Sequence, residues 1–363
     1  MMNLKPTIID RYIIKKFIGT YLFSLALISV IIVVFNISEN VDDFIEKKAP
    51  LYDIIFHFYL NLIPQLTNMF SSLFVFITVI FFTSKMAGHS EIIAILSGGV
   101  SFGRLMYPYF LSALVIFTGT LLLNLFIIPP ANAERLEFEE QYLHSFFTND
   151  NRNIHFQLEP NEYVYMESFM TWNNTAYKFS LEKFEEKKLL SKLQAEQAIW
   201  DTSFSGWRVR NYYIRHITDS SETITRGKQL DTVISITAED LRRRANSYES
   251  LGYSDLDNEI DLLTLRGDKS VKYALVEKYK RITVPFSVFI LSLIGVSLSS
   301  QKVRGGIGLK IGLGVGLSFS YIIFLRFAEM FVFSDFLTPL VALWIPNLLF
   351  LVVAIYLYVK APK

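Results

Sequence analysis

The sequence predicts a membrane α-helical bundle of six transmembrane helices carrying an antiparallel β domain that is jelly-roll-like. Three observations predict it. Three long apolar segments precede residue 131, and three more follow residue 280. Residues 131–280 between them hold 25 Asp/Glu and 20 Lys/Arg, most of the charge in the chain. Within that interval short runs alternate apolar and polar side chains, as strands with one buried face do. With 52% hydrophobic and 15% aromatic residues and a mean hydropathy of +0.34, the 363-residue chain falls among integral membrane proteins.

The apolar runs cover roughly 17–37, 54–82 and 105–130, then 282–300, 307–328 and 336–359. Each is long enough for a helix to cross the hydrocarbon core, which takes about 20 residues. Lipid offers the backbone no hydrogen-bonding partner, so spans of this length are helical. The first run is too long for a signal peptide, and no small-residue cleavage pattern follows it, so it is expected to be retained. Charge sets the orientation. On one side of the spans lie Lys5, Arg11, Lys15, Lys16, Lys85, Arg104, Lys302, Arg304, Lys310, Lys360 and Lys363, opposed by Asp10 and Glu91. The first loop on the other side is acidic, with Glu39, Asp42, Asp43, Glu46 and Asp53 against Lys47 and Lys48. The positive-inside bias therefore puts both termini in the cytoplasm and the large domain outside. The domains read as 1–130 (three spans), 131–280 (the β domain with trailing helices) and 281–363 (three spans).

Span two is polar in its outer half, at Asn61, Gln65, Thr67 and Asn68, and Pro64, Pro285 and Pro346 are expected to kink their helices. The inner loop that follows, about 86–99, contains Ser90-Glu91-Ile92-Ile93-Ala94-Ile95-Leu96-Ser97-Gly98-Gly99. Ser90 is expected to cap a short helix, Glu91 suits the positive end of its dipole, and Ile92, Ile95 and Leu96 form one apolar face. Two uses are open to it: resting on lipid headgroups, or docking into a groove on a cytoplasmic partner.

Strands are expected at 154–158, 163–166, 176–181, 206–217 and 223–225, with turns at Glu159-Pro160-Asn161-Glu162 and Asp219-Ser220-Ser221. An open sandwich or jelly roll accommodates so many short strands. Helix starts follow at Ala238–Leu241 and Asp255–Glu259. The aromatics Trp172, Trp200, Trp207, Tyr212 and Tyr213 either pack between strands or line a groove for an apolar chain.

The second inner loop, Ser299 to Gly308, is glycine-rich and basic, yet no Gly-x-x-x-x-Gly-Lys-Ser/Thr occurs, which excludes a phosphate loop. Its glycines continue into span five as Gly308, Gly312 and Gly316, with Ser320 next, a stripe that lets another helix approach closely; Gly314 is expected to widen it. That stripe serves either static packing or a mobile seam. Near the far end of the same span Arg326 and Glu329 stand at i, i+3, where they pair with each other or Arg326 takes a lipid phosphate; Lys47 and Lys48 also reach headgroup level. No catalytic residue is expected. Cysteine is absent, His57, His89, His144, His155 and His216 lack metal-ligand spacing, and no Gly-x-Ser-x-Gly occurs.

Further segments carry a resemblance. They are Asp10-Arg11-Tyr12, Asn40 to Phe44, Ser90 to Gly99 and Ile127-Ile128-Pro129-Pro130-Ala131-Asn132. Gly206-Trp207, Pro285-Phe286-Ser287, Leu298 to Gly306 and Trp344-Ile345-Pro346-Asn347 complete the set. In this order, around this layout, the chain resembles the lipopolysaccharide-export permeases LptF and LptG along essentially its whole length, and LptG more than LptF. The resemblance implies an inner-membrane protein with a periplasmic jelly roll, which extracts lipopolysaccharide as the permease subunit of an ABC-type transporter. It implies a second LptF/LptG-type permease, a dimeric cytoplasmic ATPase subunit and a periplasmic jelly-roll bridge protein as partners, and no nucleic acid. The chain itself would bind no cofactor, ATP being used by the partner subunit. Ser90 to Gly99 matches the family's coupling helix, with Glu91 its acidic residue, and Gly308, Gly312 and Gly316 fall on the gate helix, which faces helix one of the other permease. One departure stands out. LptG-type members often carry lysines on helix one for lipid A phosphates, whereas residues 17–37 have none, leaving Lys47, Lys48 or Arg326 for that role.

Other classes fit less well. A secondary transporter calls for repeated halves with broken helices and buried carboxylates, and the spans have no acidic residue at their centres. An intramembrane enzyme lacks any His, Asp or Ser cluster within the spans. A membrane-anchored structural or signalling protein, whose outer domain binds a protein partner, is the competing reading.

Overall fold

The computed structural model describes residues 7–143, 152–185, 188–218, 221–242, 245–300 and 306–361. In chain order the helices are α1 (Ile8–Glu46), α2 (Leu51–Gly88), α3 (Glu91–Ser97) and α4 (Phe102–Tyr142). Seven strands follow: β1 (Ile154–Glu159), β2 (Glu162–Met166), β3 (Ser168–Met170), β4 (Thr175–Glu185), β5 (Lys188–Asp201), β6 (Gly206–Ile217) and β7 (Glu222–Thr232). After them come α5 (Ala238–Arg242), a 3₁₀ turn (Ala245–Ser250), α6 (Tyr253–Leu265), α7 (Val271–Ser299), α8 (Gly306–Phe333) and α9 (Pro339–Lys360). Six of the described helices, α1, α2, α4, α7, α8 and α9, are long and apolar enough to cross a membrane. Contacts divide the chain into a helical unit (Met1–Phe138, Glu249–Tyr253, Leu275–Lys363) and a sheet unit (Glu139–Tyr248, Ser254–Ala274).

The helical unit is knitted by apolar clusters and by hydroxyl and amide bonds that cross between helices. Ile13, Phe17 and Tyr21 of α1 pack with Val79 and Phe82 of α2 and Leu105 and Tyr109 of α4. Phe76 and Ile80 of α2 join Leu291 and Ile294 of α7, Tyr321 of α8 and Phe350 of α9. In lipid no hydrophobic force drives one apolar helix onto another, so packing and polar contacts between helices set their register. Tyr21 and Ser71 share a hydrogen bond of 2.6 Å, Thr83 and Tyr109 one of 2.9 Å. Tyr321 Oη donates to Asn347 Oδ1 at 3.0 Å, and Asn347 Nδ2 donates to the Thr283 carbonyl at 2.8 Å.

The helices continue through Pro64, Pro285 and Pro346. Proline lacks the N–H that would reach the carbonyl four residues earlier. At Pro285 that carbonyl belongs to Arg281, and Asn124 Nδ2 reaches it at 3.4 Å. Asn68 Nδ2 in turn donates to Asn124 Oδ1 at 2.8 Å, which accounts for one polar residue of span two. α2 and α4 each contain a π-helical turn, at Ile54–Tyr59 and Leu123–Ile127.

In the sheet unit all seven strands join one open antiparallel sheet, in the order β1-β2-β4-β5-β6-β7 with β3 on β4. The β1–β2 turn uses Asn161 at φ 72°, a left-handed position that asparagine tolerates. Pairing lines up Val164, Leu181, Leu193 and Ile214 across four strands, and Phe179, Ala195 and Tyr212 in the next row. The Tyr212 ring lies over Gly227 of β7, where a Cβ would overlap it. This face is closed by Ile236, Ala238 and Leu241, and Trp207 at its centre is fully buried with Nε1 donating to the Ile236 carbonyl at 2.7 Å. Thr237 and Asp240 cap α5 reciprocally, Asp240 N–H to Thr237 Oγ1 at 3.2 Å and Thr237 N–H to Asp240 Oδ2 at 3.0 Å. The expected turn residues Asp219 and Ser220, His144, and residues 301–305 of the basic inner loop lie outside the described residues.

Candidate functional site

α3 is reached from α2 by a sharp turn. Ser90 takes φ 61° and ψ 13°, in the left-handed region. A serine caps a helix from extended backbone, which aims its hydroxyl at the first free N–H groups. From the left-handed region it cannot, and the Ser90 side chain makes no capping bond to α3, contrary to the sequence expectation. Its carbonyl still accepts from the Ala94 N–H at 2.9 Å. Glu91 occupies the first turn as expected, with His89 Nδ1 3.7 Å from its Oε1.

The apolar face of α3 points inward. Ile92 is fully buried in the cluster of Ile13, Phe17, Phe102 and Leu105, and Ile95 and Leu96 pack against it. Ile93, 48% exposed, stands outward with Ala94 and Ser97. So Ile92, Ile95 and Leu96 fasten α3 to the bundle, and the surface open to another molecule is Glu91, Ile93, Ala94 and Ser97. Sequence reasoning missed Ile93. The signal was there: at about 100° per residue, Ile93 falls about 100° off the centre of the face that Ile92, Ile95 and Leu96 share.

On α8 the sequence stripe is open. A Cβ added at Gly308, Gly312 or Gly316 would meet no atom within 4 Å, and Ser320 Oγ turns back to the Gly316 carbonyl at 2.8 Å. Gly314 does not belong to that stripe. It is buried, and a Cβ there would overlap Ile80 Cδ1 of α2. Close packing of α8 inside the chain therefore rests on Gly314, and Gly308, Gly312 and Gly316 leave a smooth face unused by it. A match to the family model of the lipopolysaccharide export system permease LptF/LptG extends over residues 11–360. The chain belongs to the LptF/LptG family. A comparison with curated proteins gave no match.

LptF/LptG membership makes this a multi-pass transport permease of lipopolysaccharide export. In this LptF/LptG chain the candidate phosphate-binding cations are spread over two helices. Lys47 and Lys48 stand exposed at the end of α1. Arg326 of α8 is 62% exposed at its side chain and donates from Nη1 to Glu329 Oε2 at 2.9 Å, the pair expected from spacing. Lys280 of α7, which sequence reasoning did not single out, lies 3.2 Å from Glu329 Oε1, so Glu329 ties α7 to α8.

A second polar network lies in the helical unit. Gln65 Nε2 donates to Glu249 of the 3₁₀ turn, and Arg281 donates to the Leu251 carbonyl at 2.9 Å and to Glu277 at 2.9 Å. Burial pushes the Glu249 carboxyl above its ordinary value; Glu277 adds to the rise, while Lys280, Arg135 and Gln65 oppose it. In the sheet, Trp207 and the adjacent Trp200, with ring centroids 5.4 Å apart, are packing residues, whereas Trp172 is exposed. Leu193, Tyr212, Ile214 and Leu230 extend the apolar face beyond Trp207, the last three only partly buried. Among the described residues no three His, Asp or Glu side chains converge as metal ligands do.

Proposed function

We propose that this LptF/LptG chain is one permease half of an ATP-driven exporter that lifts lipopolysaccharide out of the inner membrane. Both termini lie in the cytoplasm in this reading, and the sheet unit lies in the periplasm. α3 carries the reading. It is anchored by a fully buried isoleucine and offers an acidic, partly apolar knob at the end of two spans, the form a helix needs to seat in a partner's groove. The partner is a dimeric ATPase, since this chain has no phosphate loop. A second LptF/LptG permease faces the open stripe of Gly308, Gly312 and Gly316, and the lipid enters between that stripe and the partner's first helix. Lys47, Lys48 and Arg326 meet its phosphates. Its acyl chains then slide along the apolar face of the sheet at Leu193, Ile214 and Leu230, towards a bridge protein built from similar sheets.

Photocrosslinking tests this. A photoreactive residue at Ile214 or Leu230 should trap lipopolysaccharide in an ATP-dependent way, and one at Tyr213 or Arg215, on the opposite face, should not. Adducts with protein alone at the inner positions would overturn the transport reading in favour of a protein-binding domain.

A further inference from the structure

An ion pair lies where α1, α3 and α4 meet. Asp10, in the first turn of α1, is 2% exposed. Its carboxylate accepts from the Thr7 N–H at 2.7 Å and the Thr7 hydroxyl at 2.9 Å, which completes a capping box at the start of the helix. The same carboxylate takes a two-pronged bond from Arg104, Nη1 to Oδ1 at 2.8 Å and Nη2 to Oδ2. Arg104 lies in the first turn of α4, capped by Ser101. A cation there faces the positive end of its own helix dipole and works against α4 taken alone. Its position makes sense through Asp10. A buried ion pair adds little net stability compared with apolar packing, and its best-attested use is to fix how elements register.

α3 bears on this junction. Ile95 of α3 and the following Val100 close a cavity of ≈ 170 Å³ with Asp10, Ile13, Arg104 and Leu105. Ile92 enters the apolar cluster one layer further in, against Ile13 and Phe17 of α1. Beyond this inner part α1 buries little until its far end. Its buried residues run Asp10, Ile13, Phe17, Tyr21, Leu25 and Ser29, and the next is Phe44. At roughly 1.5 Å per residue the 39-residue helix is about 58 Å long, exposed through most of residues 30–43 and seated again at its far end, where Phe44 packs on Phe58, Tyr59 and Phe138. A push at the inner end of such a rod, beside α3, is carried along it as by a lever.

We propose that Asp10 and Arg104 are positioning residues for the transport stroke: the pair pins α1 to α4 directly against α3, so that a push on α3 turns α1 as a rigid rod. The inference rests on the reading of α3 as the ATPase contact. Loss of the pair leaves α3 and its partner in place and leaves α1 joined to α3 by apolar packing alone, without a fixed register.

The chain has no cysteine, so two engineered ones are its only labelling sites, and it is labelled before the complex is assembled. Spin labels at Gly88→Cys, in open space at the end of α2 where it turns into α3, and at Val34→Cys on the exposed part of α1 report their separation by pulsed electron resonance. The full complex, with second permease and ATPase, is reconstituted in nanodiscs containing lipopolysaccharide. The wild-type distance should shift when the ATPase is trapped with ATP and vanadate. In Arg104→Gln the ATPase rate and assembly should hold within twofold, the shift should shrink to less than half, and lipopolysaccharide released per ATP should fall at least fivefold. Arg104→Lys, which keeps the charge and loses the two-pronged geometry, should fall between, and it serves as the test if the glutamine variant does not assemble. A wild-type-sized shift and release ratio in both variants overturns the lever alone. Absence of any nucleotide-dependent shift in the wild type overturns the ATPase-contact reading of α3, and the lever with it.

Discussion

Gly312 and Gly314 are two residues apart on α8 and should respond oppositely to the same methyl group. Both substitutions to alanine gain helix propensity, about 0.8–1 kcal/mol. At Gly312 the new Cβ enters open space, and that gain is all that changes. At Gly314 it overlaps Ile80 Cδ1, while carbon atoms rest about 3.5–4.0 Å apart. Ile80 cannot retreat freely, because it is 1% exposed in the cluster with Phe76, Leu291 and Tyr321. Overpacking of this kind costs about 1–3 kcal/mol. The propensity gain is common to both, so Gly314→Ala should be less stable than Gly312→Ala by about 1–3 kcal/mol. Thermal unfolding of the purified chain in one detergent, followed by tryptophan fluorescence, measures the difference. Larger side chains widen it: Gly312→Leu should be at least as stable as the wild type yet block close approach of a facing helix, lowering lipopolysaccharide release by the assembled exporter. Equal destabilisation at both positions would refute the assignment of one glycine to internal packing and the other to an open face.

Three further outcomes follow from the site geometry. Glu91→Lys should leave the chain folded and uncouple ATP hydrolysis from lipid release in the reconstituted complex; Ile93→Ala should weaken ATPase binding, whereas Ile92→Ala, fully buried, should cost the chain about 2–5 kcal/mol in an unfolding assay. For Glu249 the sign is set by a raised pKa. The folded protein holds this proton more tightly than the unfolded chain, so the associated stability is full below about pH 4.5, its ordinary value, and declines as pH climbs through the raised one. Melting curves between pH 4 and 8 should show that decline in the wild type and lose it in Glu249→Gln; parallel profiles would refute the burial argument.

Much of the fold was legible because membrane and sheet each impose a period on the chain. Spans announce themselves by length and apolarity, and five of the seven strands by alternation. β5 did not. Its run Lys188-Leu-Leu-Ser-Lys-Leu-Gln-Ala-Glu-Gln-Ala is built of good helix formers, and neighbouring strands on both sides overrode that local preference. At the candidate site the start of α3 at Glu91 was readable, and the backbone of Ser90 was not. A left-handed residue is set by the direction the chain must take after α2, which no side-chain pattern records.

By itself the sequence determined what kind of protein this is: six spans, a charged β domain between them, no phosphate loop and no thiol, all properties of composition and periodicity that need no neighbour to define them. Which face each residue uses was decided only in the tertiary structure. Gly314 looked like one more member of a smooth stripe until Ile80 was found against it. Asp10 and Arg104 are 94 positions apart, and nothing in either segment states that they meet. Glu329 spaced itself for Arg326 in the sequence, yet it also holds Lys280 of another helix. Periodicity reports the environment of one helix or strand; partners across helices follow from packing, which brings distant segments together by shape and charge.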